Sequence, residues 1–385
     1  MKLDGVTVID LSMFLPGPHF TLMMADHGAD VIRIEPPAGE PSREYGLRLG
    51  EHSVWFRNTH RGKRSLRLNL KDPRGKALLM KLLEKADVLV EGFRPGVMRR
   101  LGLDYESVRA HAPQIVYCSI SAFGQTGRYR DKPAHDMAVQ ALAGTLGFNL
   151  GRDGAPTNPG LPTADITSSM FALSGVLMAL LKQRQTGQGD FLDIAMHDSL
   201  LAWTPNYTGP VFAEHRPHEV KHERNWGGGA FYNLYRTRDA QWMVLGGLEH
   251  HFCANFLNKA GRPDLIPLCE LPPGPGQQPV KDFLADFFAA RTRAEALAWL
   301  ADIDVCYAPL RTLVEAYDDP HAAERGMLLH DEQGLPHIGT AIKFTREPAQ
   351  IGYAVPRLGE HSRAIAAELG YADAEIEALA RDGVI

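Results

Sequence analysis

Apolar positions in the first two hundred residues fall into short β-branched runs separated by longer stretches of helical period. Val6 to Ile9 reads as a strand, a turn at Pro16-Gly17-Pro18 and a helical pattern through His27 follow, and Val31 to Ile34 closes a βαβ unit. Alternation in Ser65 to Leu70 gives a further strand. Asp72-Pro73 then supplies an N-cap and a proline at the first helical position, for a helix reaching about Ala86. Val88 to Phe93 and Ile115 to Ile120 are two more strands. From Ile166 to about Gln185, Met170, Phe171, Leu173, Leu177, Leu180 and Leu181 recur at helical spacing, and Gly187-Gln188-Gly189 ends that helix before a strand at Phe191 to Met196. Strands alternating with helices predict an α/β fold whose parallel sheet is covered on both faces.

The pattern changes after residue 200. Loop-like sequence rich in His, Pro and Tyr leads to Gly227-Gly228-Gly229, and a second set of short elements follows, broken by the linker-like Leu271-Pro272-Pro273-Gly274-Pro275-Gly276. We expect a large domain from residues 1–200 with 326–385, a linker at 201–225 and a smaller domain at 226–325. The tail from Ala364 is helical in pattern, and no internal repeat is visible.

Composition narrows the function. With 41 basic and 46 acidic side chains the net charge is -5, so no global positive field recruits nucleic acid or an anionic membrane. Cys118, Cys253, Cys269 and Cys306 lie far apart without a CxxC pair and read as buried reduced thiols. The start MKLDGVTVIDLS lacks the apolar core of a signal peptide, and no stretch is read as a membrane span of ~20 apolar residues, so a cytoplasmic location is expected.

Cofactor motifs are missing where an α/β fold invites them. There is no GxGxxG after a strand, no GxxxxGK[ST] and no HExxH, which leaves dinucleotide, nucleotide triphosphate and metalloprotease sites unsupported. His215, His218 and His222 have ligand-like spacing, but their polar surroundings and missing fourth ligand read as solvated surface, and no metal is expected. Arg61, Lys63, Arg64, Lys71, Arg94 and Arg100 flank predicted strand ends, where a phosphate-bearing ligand of an open sheet meets charge. Asp165, ahead of the long apolar helix, reads by itself as a helix N-cap. His135, Asp136 and Glu249 taken singly read as structural.

Eight segments, in order, nonetheless resemble the family III CoA-transferases (the CaiB/BaiF group): LDGVTVIDLS with PGP, GADVIRIEPP, RGKRSLRLNLKDPRG, ADVLVEGFRPGVMRRLGLDY, SAFGQTGRYRDKPAHD, ADITSSM, RQTGQGDFLDIAMHDSLL and LGEHSRAIAAELGYADAEI. The resemblance implies a Rossmann-like large domain that holds coenzyme A, a smaller α+β domain, and an interlocked homodimer. It places the shared catalytic carboxylate at Asp165. Positions lining CoA correspond to Leu15, Pro16, Leu68, Asn69, Lys71, Phe93, Arg94, Arg100 and Ala134. Pro36 departs from the pattern, standing where relatives often carry an Arg near the adenosine phosphates.

The resemblance is nearest to the α-methylacyl-CoA racemase branch, whose catalytic histidine and acidic partner match His135 and Glu249. Inverting a centre beside a thioester takes a proton from one face and returns one to the other, so two groups must exchange base and acid roles. His135 and Asp165 are expected on opposite sides of the α-carbon, with Glu249 orienting the imidazole and helix-end donors near Asp165 holding the enolate oxygen. An alternative is CoA transfer between carboxylic acids, in which Asp165 forms a mixed anhydride and then an aspartyl-CoA thioester. A CoA-binding protein without turnover is a third reading.

Overall fold

The computed structural model describes residues 1–151 and 153–385. The β-branched runs form one parallel sheet of six strands, β1 (Thr7–Asp10), β2 (Asp30–Glu35), β3 (Arg64–Arg67), β4 (Val88–Glu91), β5 (Val116–Ser121) and β6 (Phe191–Ala195). Their order across the sheet is β3-β2-β1-β4-β5-β6, the doubly wound Rossmann arrangement. Val8 pairs with Val31 on one side and Val88 on the other, which fixes the register at the centre.

Because side chains alternate across a strand, neighbouring residues enter different cores. Val8, Val31, Val88 and Val116 face α1 (Pro16–Asp26), with Phe20 and Met24, and α6 (Thr163–Thr186), with Ala172, Leu173, Val176 and Leu180. Ile9, Ile32, Leu66 and Leu89 face the opposite layer, built from α3 (Pro73–Leu83) and the helices Ser362–Glu368 and Asp373–Arg381. The remaining helices of this part used below are α2 (Val54–His60), α4 (Val97–Leu101) and α5 (Asp136–Leu142).

Several sequence expectations need correction. Pro16-Gly17-Pro18 is the first turn of α1, where the missing proline N–H groups cost nothing. Gly17 is required there, since a Cβ would lie 1.9 Å from Ser12 Oγ. The strand expected at Ser65 to Leu70 stops at Arg67, and Asn69 N turns away to Val384 O at 2.8 Å. By length and composition Thr163–Thr186 is apolar enough to cross a membrane, although no such stretch was expected; its buried stripe forms core under the sheet. Cys118 and Cys253 are buried, but Cys269 is half-buried and Cys306 is exposed, so the thiols are not uniformly interior.

The chain divides into two compact units: Met1–Asn149, Thr157–Thr204 and Pro320–Ile385 form the first, Leu150–Pro156 and Pro205–Asp319 the second. The second carries an antiparallel sheet of β7 (Tyr232–Arg236), β8 (Trp242–Gly246) and β9 (Tyr307–Pro309), in the order β9-β8-β7. Its core gathers Phe231, Met243 and Leu245 with Phe256 of α7 (His250–Lys259) and Leu284 and Phe288 of the helix Gln278–Ala289. The stretch from Leu271 to Gly276 is tied down rather than a linker: Gly274 N donates to Gly228 O, and Gln277 Nε2 to Leu271 O at 2.6 Å.

Candidate functional site

Ligands of open parallel sheets sit beyond the carboxyl ends of the strands, where the strand order reverses. Here that point lies between β1 and β4. Leu15 and Pro16 follow β1, Phe93 and Arg94 follow β4, and Asn69 and Lys71 follow β3, so these predicted positions share one edge. Leu68 is buried, and Asn69 Oδ1 accepts from Lys71 N at 3.1 Å, shaping its own turn. Phe93 N donates to Glu91 Oε2 at 2.8 Å. Burial raises the Glu91 carboxyl to about 7 against the hydrogen bonds from Ser119 and Phe93.

The basic cluster splits in two. Arg61, Lys63 and Arg64 stand at the amino end of β3, opposite to the phosphate edge expected for them, and are committed to Asp26, to Asp10, and to Asp30 and Glu368. Lys71, Arg94 and Arg100 are exposed on the carboxyl side, with no carboxylate in ion-pair range among the described residues. Those three suit an anion. Pro36 is exposed just after β2, as is Arg99 on α4 beside Arg100.

Asp165 is the third residue of α6 and lies in its first turn; Pro162, not Asp165, stands at the N-cap. The cap comes from 28 residues upstream in sequence. Asp136 Oδ1 accepts from Ala164 N at 2.7 Å and Asp165 N at 3.2 Å, while Gln140 Nε2 braces Asp136 Oδ2 at 2.6 Å. Thr163 N and Ile166 N donate to Leu161 O and Pro162 O. Every donor of the first turn of α6 is therefore used. Asp165 itself accepts no side-chain hydrogen bond among the described residues. Burial first, and the negative Asp136 second, raise its carboxyl to about 7.

His135 is the residue before Asp136 and the N-cap of α5, exposed, with Phe14 edge-on at 6.4 Å. The His135-Asp136 dipeptide thus brings the imidazole to the helix ends that hold Asp165. Ala134 packs on Phe123, Val139 and Met196. Glu249 belongs to the second unit, exposed at the N-cap of α7. Of the three histidines with ligand-like spacing, His218 is not solvated surface as expected but largely buried, edge-on to Trp226 at 5.4 Å.

Sequence reasoning missed a buried charge network behind the β1 loop. Asp10 Oδ2 meets Thr21 Oγ1 at 2.7 Å and Lys63 Nζ at 3.2 Å, and Asp10 Oδ1 accepts from Ser12 N. Arg33 bridges Asp10 O to Glu40 Oε2, which also pairs with His60. Burial opposes charge on Asp10, yet Lys63 and Arg33 carry it down to about 2; burial brings Lys63 to about 8. The only sequence trace of this network is a set of charged residues inside otherwise apolar strands.

The sequence matches CoA-transferase family III over residues 3–362. α-Methylacyl-CoA racemase of Homo sapiens is 33% identical, across 100% of this chain and 98% of its own length. Acetyl-CoA:oxalate CoA-transferase of Acetobacter aceti is also 33% identical, across 97% of each. A solved structure of a CAIB/BAIF family protein from Brucella suis superposes with a TM-score of 0.84 at 29% identity, covering 95% of this chain and 99% of that one. A match that spans nearly the whole sequence, joined to the same fold, leaves one assignment: the chain belongs to CoA-transferase family III.

Proposed function

We propose that this CoA-thioester enzyme moves a proton at the α-carbon of a 2-methylacyl-CoA, with Asp165 and His135 as the exchanging acid and base. The observation that carries the reading is the state of Asp165: a carboxyl raised to about 7, with no side-chain hydrogen bond among the described residues, can take or give a proton at neutral pH. An imidazole one residue from its capping partner supplies the second group. CoA lies along the carboxyl edge of the sheet, its phosphates near Lys71, Arg94 and Arg100. The resemblance gives Glu249 the part of the imidazole's acidic partner, which Glu249→Gln tests.

A second reading is favoured by the equal likeness to a CoA-transferase. There the Asp165 carboxylate attacks the acyl carbonyl and CoA leaves as the mixed anhydride forms; CoA then attacks the aspartyl carbonyl, expelling the first acid, and the acceptor acid reverses both steps on the aspartyl thioester to leave as its own CoA ester. The chain is also proposed to work as an interlocked homodimer in the cytoplasm; Phe171, Leu177, Met178 and Leu181 form an exposed apolar stripe on α6 that suits a second copy. Exchange of the α-proton in heavy water, followed by mass spectrometry with and without a carboxylate acceptor, decides the reaction. Exchange without transfer, lost in both Asp165→Ala and His135→Ala by about 10²-fold or more, supports proton transfer. A hydroxylamine-trapped adduct on Asp165, with His135→Ala still active, supports CoA transfer. Full activity of Asp165→Ala removes both.

A further inference from the structure

Phe14 stands beside His135 and carries two further rings, and the reaction reading leaves all three unused. Phe14 is edge-on to the imidazole at 6.4 Å and contacts Tyr45 at 6.2 Å and Trp55 at 6.3 Å. Tyr45 and Trp55 meet at 6.3 Å, so the group is closed. Tyr45 nevertheless remains 50% exposed and Trp55 37%. Rings of this size left open next to a candidate base offer a large apolar contact.

One buried carboxylate assembles the trio. Glu40 Oε1 accepts from Phe14 N at 3.0 Å and from Ser42 Oγ at 2.8 Å. Ser42 O accepts from Ser53 Oγ, and Ser53 caps α2, the helix that carries Trp55, by accepting from Phe56 N. At the far end of α2, His60 pairs with Glu40 Oε2. Phe14 itself has φ 64°, a left-handed backbone that an L residue keeps only where its surroundings enforce it. The Glu40 bond to its amide does so.

Charge on this segment is already committed. Arg43 pairs with Glu35, Arg48 with Glu44, and Arg57 with Asp331, which accounts for every arginine between residues 40 and 60, and there is no lysine there. A carboxylate-ended acyl chain brought against the rings would lose its water without finding an uncommitted arginine or lysine in this segment.

We propose that Phe14, Tyr45 and Trp55 are the specificity-determining wall for the acyl group, selecting apolar and above all aryl-bearing chains over dicarboxylic ones, with Glu40 as their positioning residue. The proposal rests on the reading of His135 as a group at the α-carbon, because that places the substituents of this carbon against the rings.

Binding and turnover are measured separately on the full chain with 2-phenylpropanoyl-CoA, succinyl-CoA and free CoA, by calorimetry and by α-proton exchange. The wild type should bind the phenylpropanoyl thioester at least about tenfold more tightly than the succinyl one. Tyr45→Ala and Trp55→Ala should each lower that ratio about three- to tenfold, moving free CoA less than twofold, and Trp55→Phe should keep most of it. A wild-type ratio near one, or equal losses for both thioesters and free CoA, overturns the wall. A preserved ratio with no exchange leaves the wall standing and removes the reaction reading instead.

Discussion

Asp165 holds a proton in the folded chain that the unfolded chain releases, because burial and Asp136 lift its carboxyl from 3.8 to about 7. Across that window the folded state binds more protons, so unfolding free energy falls as pH rises and stays low above about 7. Asp165→Asn should therefore melt higher than wild type at pH 8, by ~1–3 kcal/mol, with the gain vanishing near pH 4. Equal melting shifts at both pH values would show an ordinary carboxyl. The same titration tells the two reactions apart. In proton transfer one of the Asp165–His135 pair must hold the proton and the other must not, and the two working forms have the same proton count, so kcat/KM should fall on either side of one optimum with the same profile for both epimers. In CoA transfer only the ionised carboxylate attacks, and both epimers should show the rising limb alone.

At the scale of elements, the β1 loop is held by charges that never reach solvent. Glu40 takes the Phe14 amide, Arg33 and His60 together, so Glu40→Ala leaves a buried guanidinium without its second partner and should cost about 3–5 kcal/mol in urea unfolding. A loss under about 1 kcal/mol would mean the network is plastic. Little of this was legible beforehand. Strands were read to within a residue or two wherever the apolar run was short and clear, as at Val88–Glu91, because burial on both faces demands such runs. The alternation from Ser65 onward misled, since Leu68 continues it while the backbone of Asn69 has already turned to Val384. Asp165 passed for a cap because a lone acid before an apolar helix usually is one. The real cap, Asp136, lies outside any local window. Arg61, Lys63 and Arg64 precede the strand read from Ser65, which in a parallel sheet puts them at its amino end, so their distance from the phosphate edge was already legible in chain order.

At the scale of the molecule, α6 serves two surfaces. Its inner stripe is core, while Met178 and Leu181, each 67% exposed, look outward. If a second copy covers them, Met178→Asp with Leu181→Asp should turn a dimer into a monomer by light scattering at micromolar concentration, and an unchanged mass would place the dimer contact elsewhere. The first unit also has an unusual order of assembly. The loop that offers Lys71 is closed by Val384, and Arg67 reaches the Ile385 carbonyl across 318 residues of sequence. On the ribosome, at about 5–20 residues per second, that stretch takes roughly 15–60 s to appear. Until residues 384 and 385 are made, the nascent polypeptide therefore carries the Lys71 loop unclosed and lacks Leu379 and Val384 over one sheet face. Chaperone dependence should track that delay, and a stall shortly before residue 384 should release a chain that cannot retain CoA.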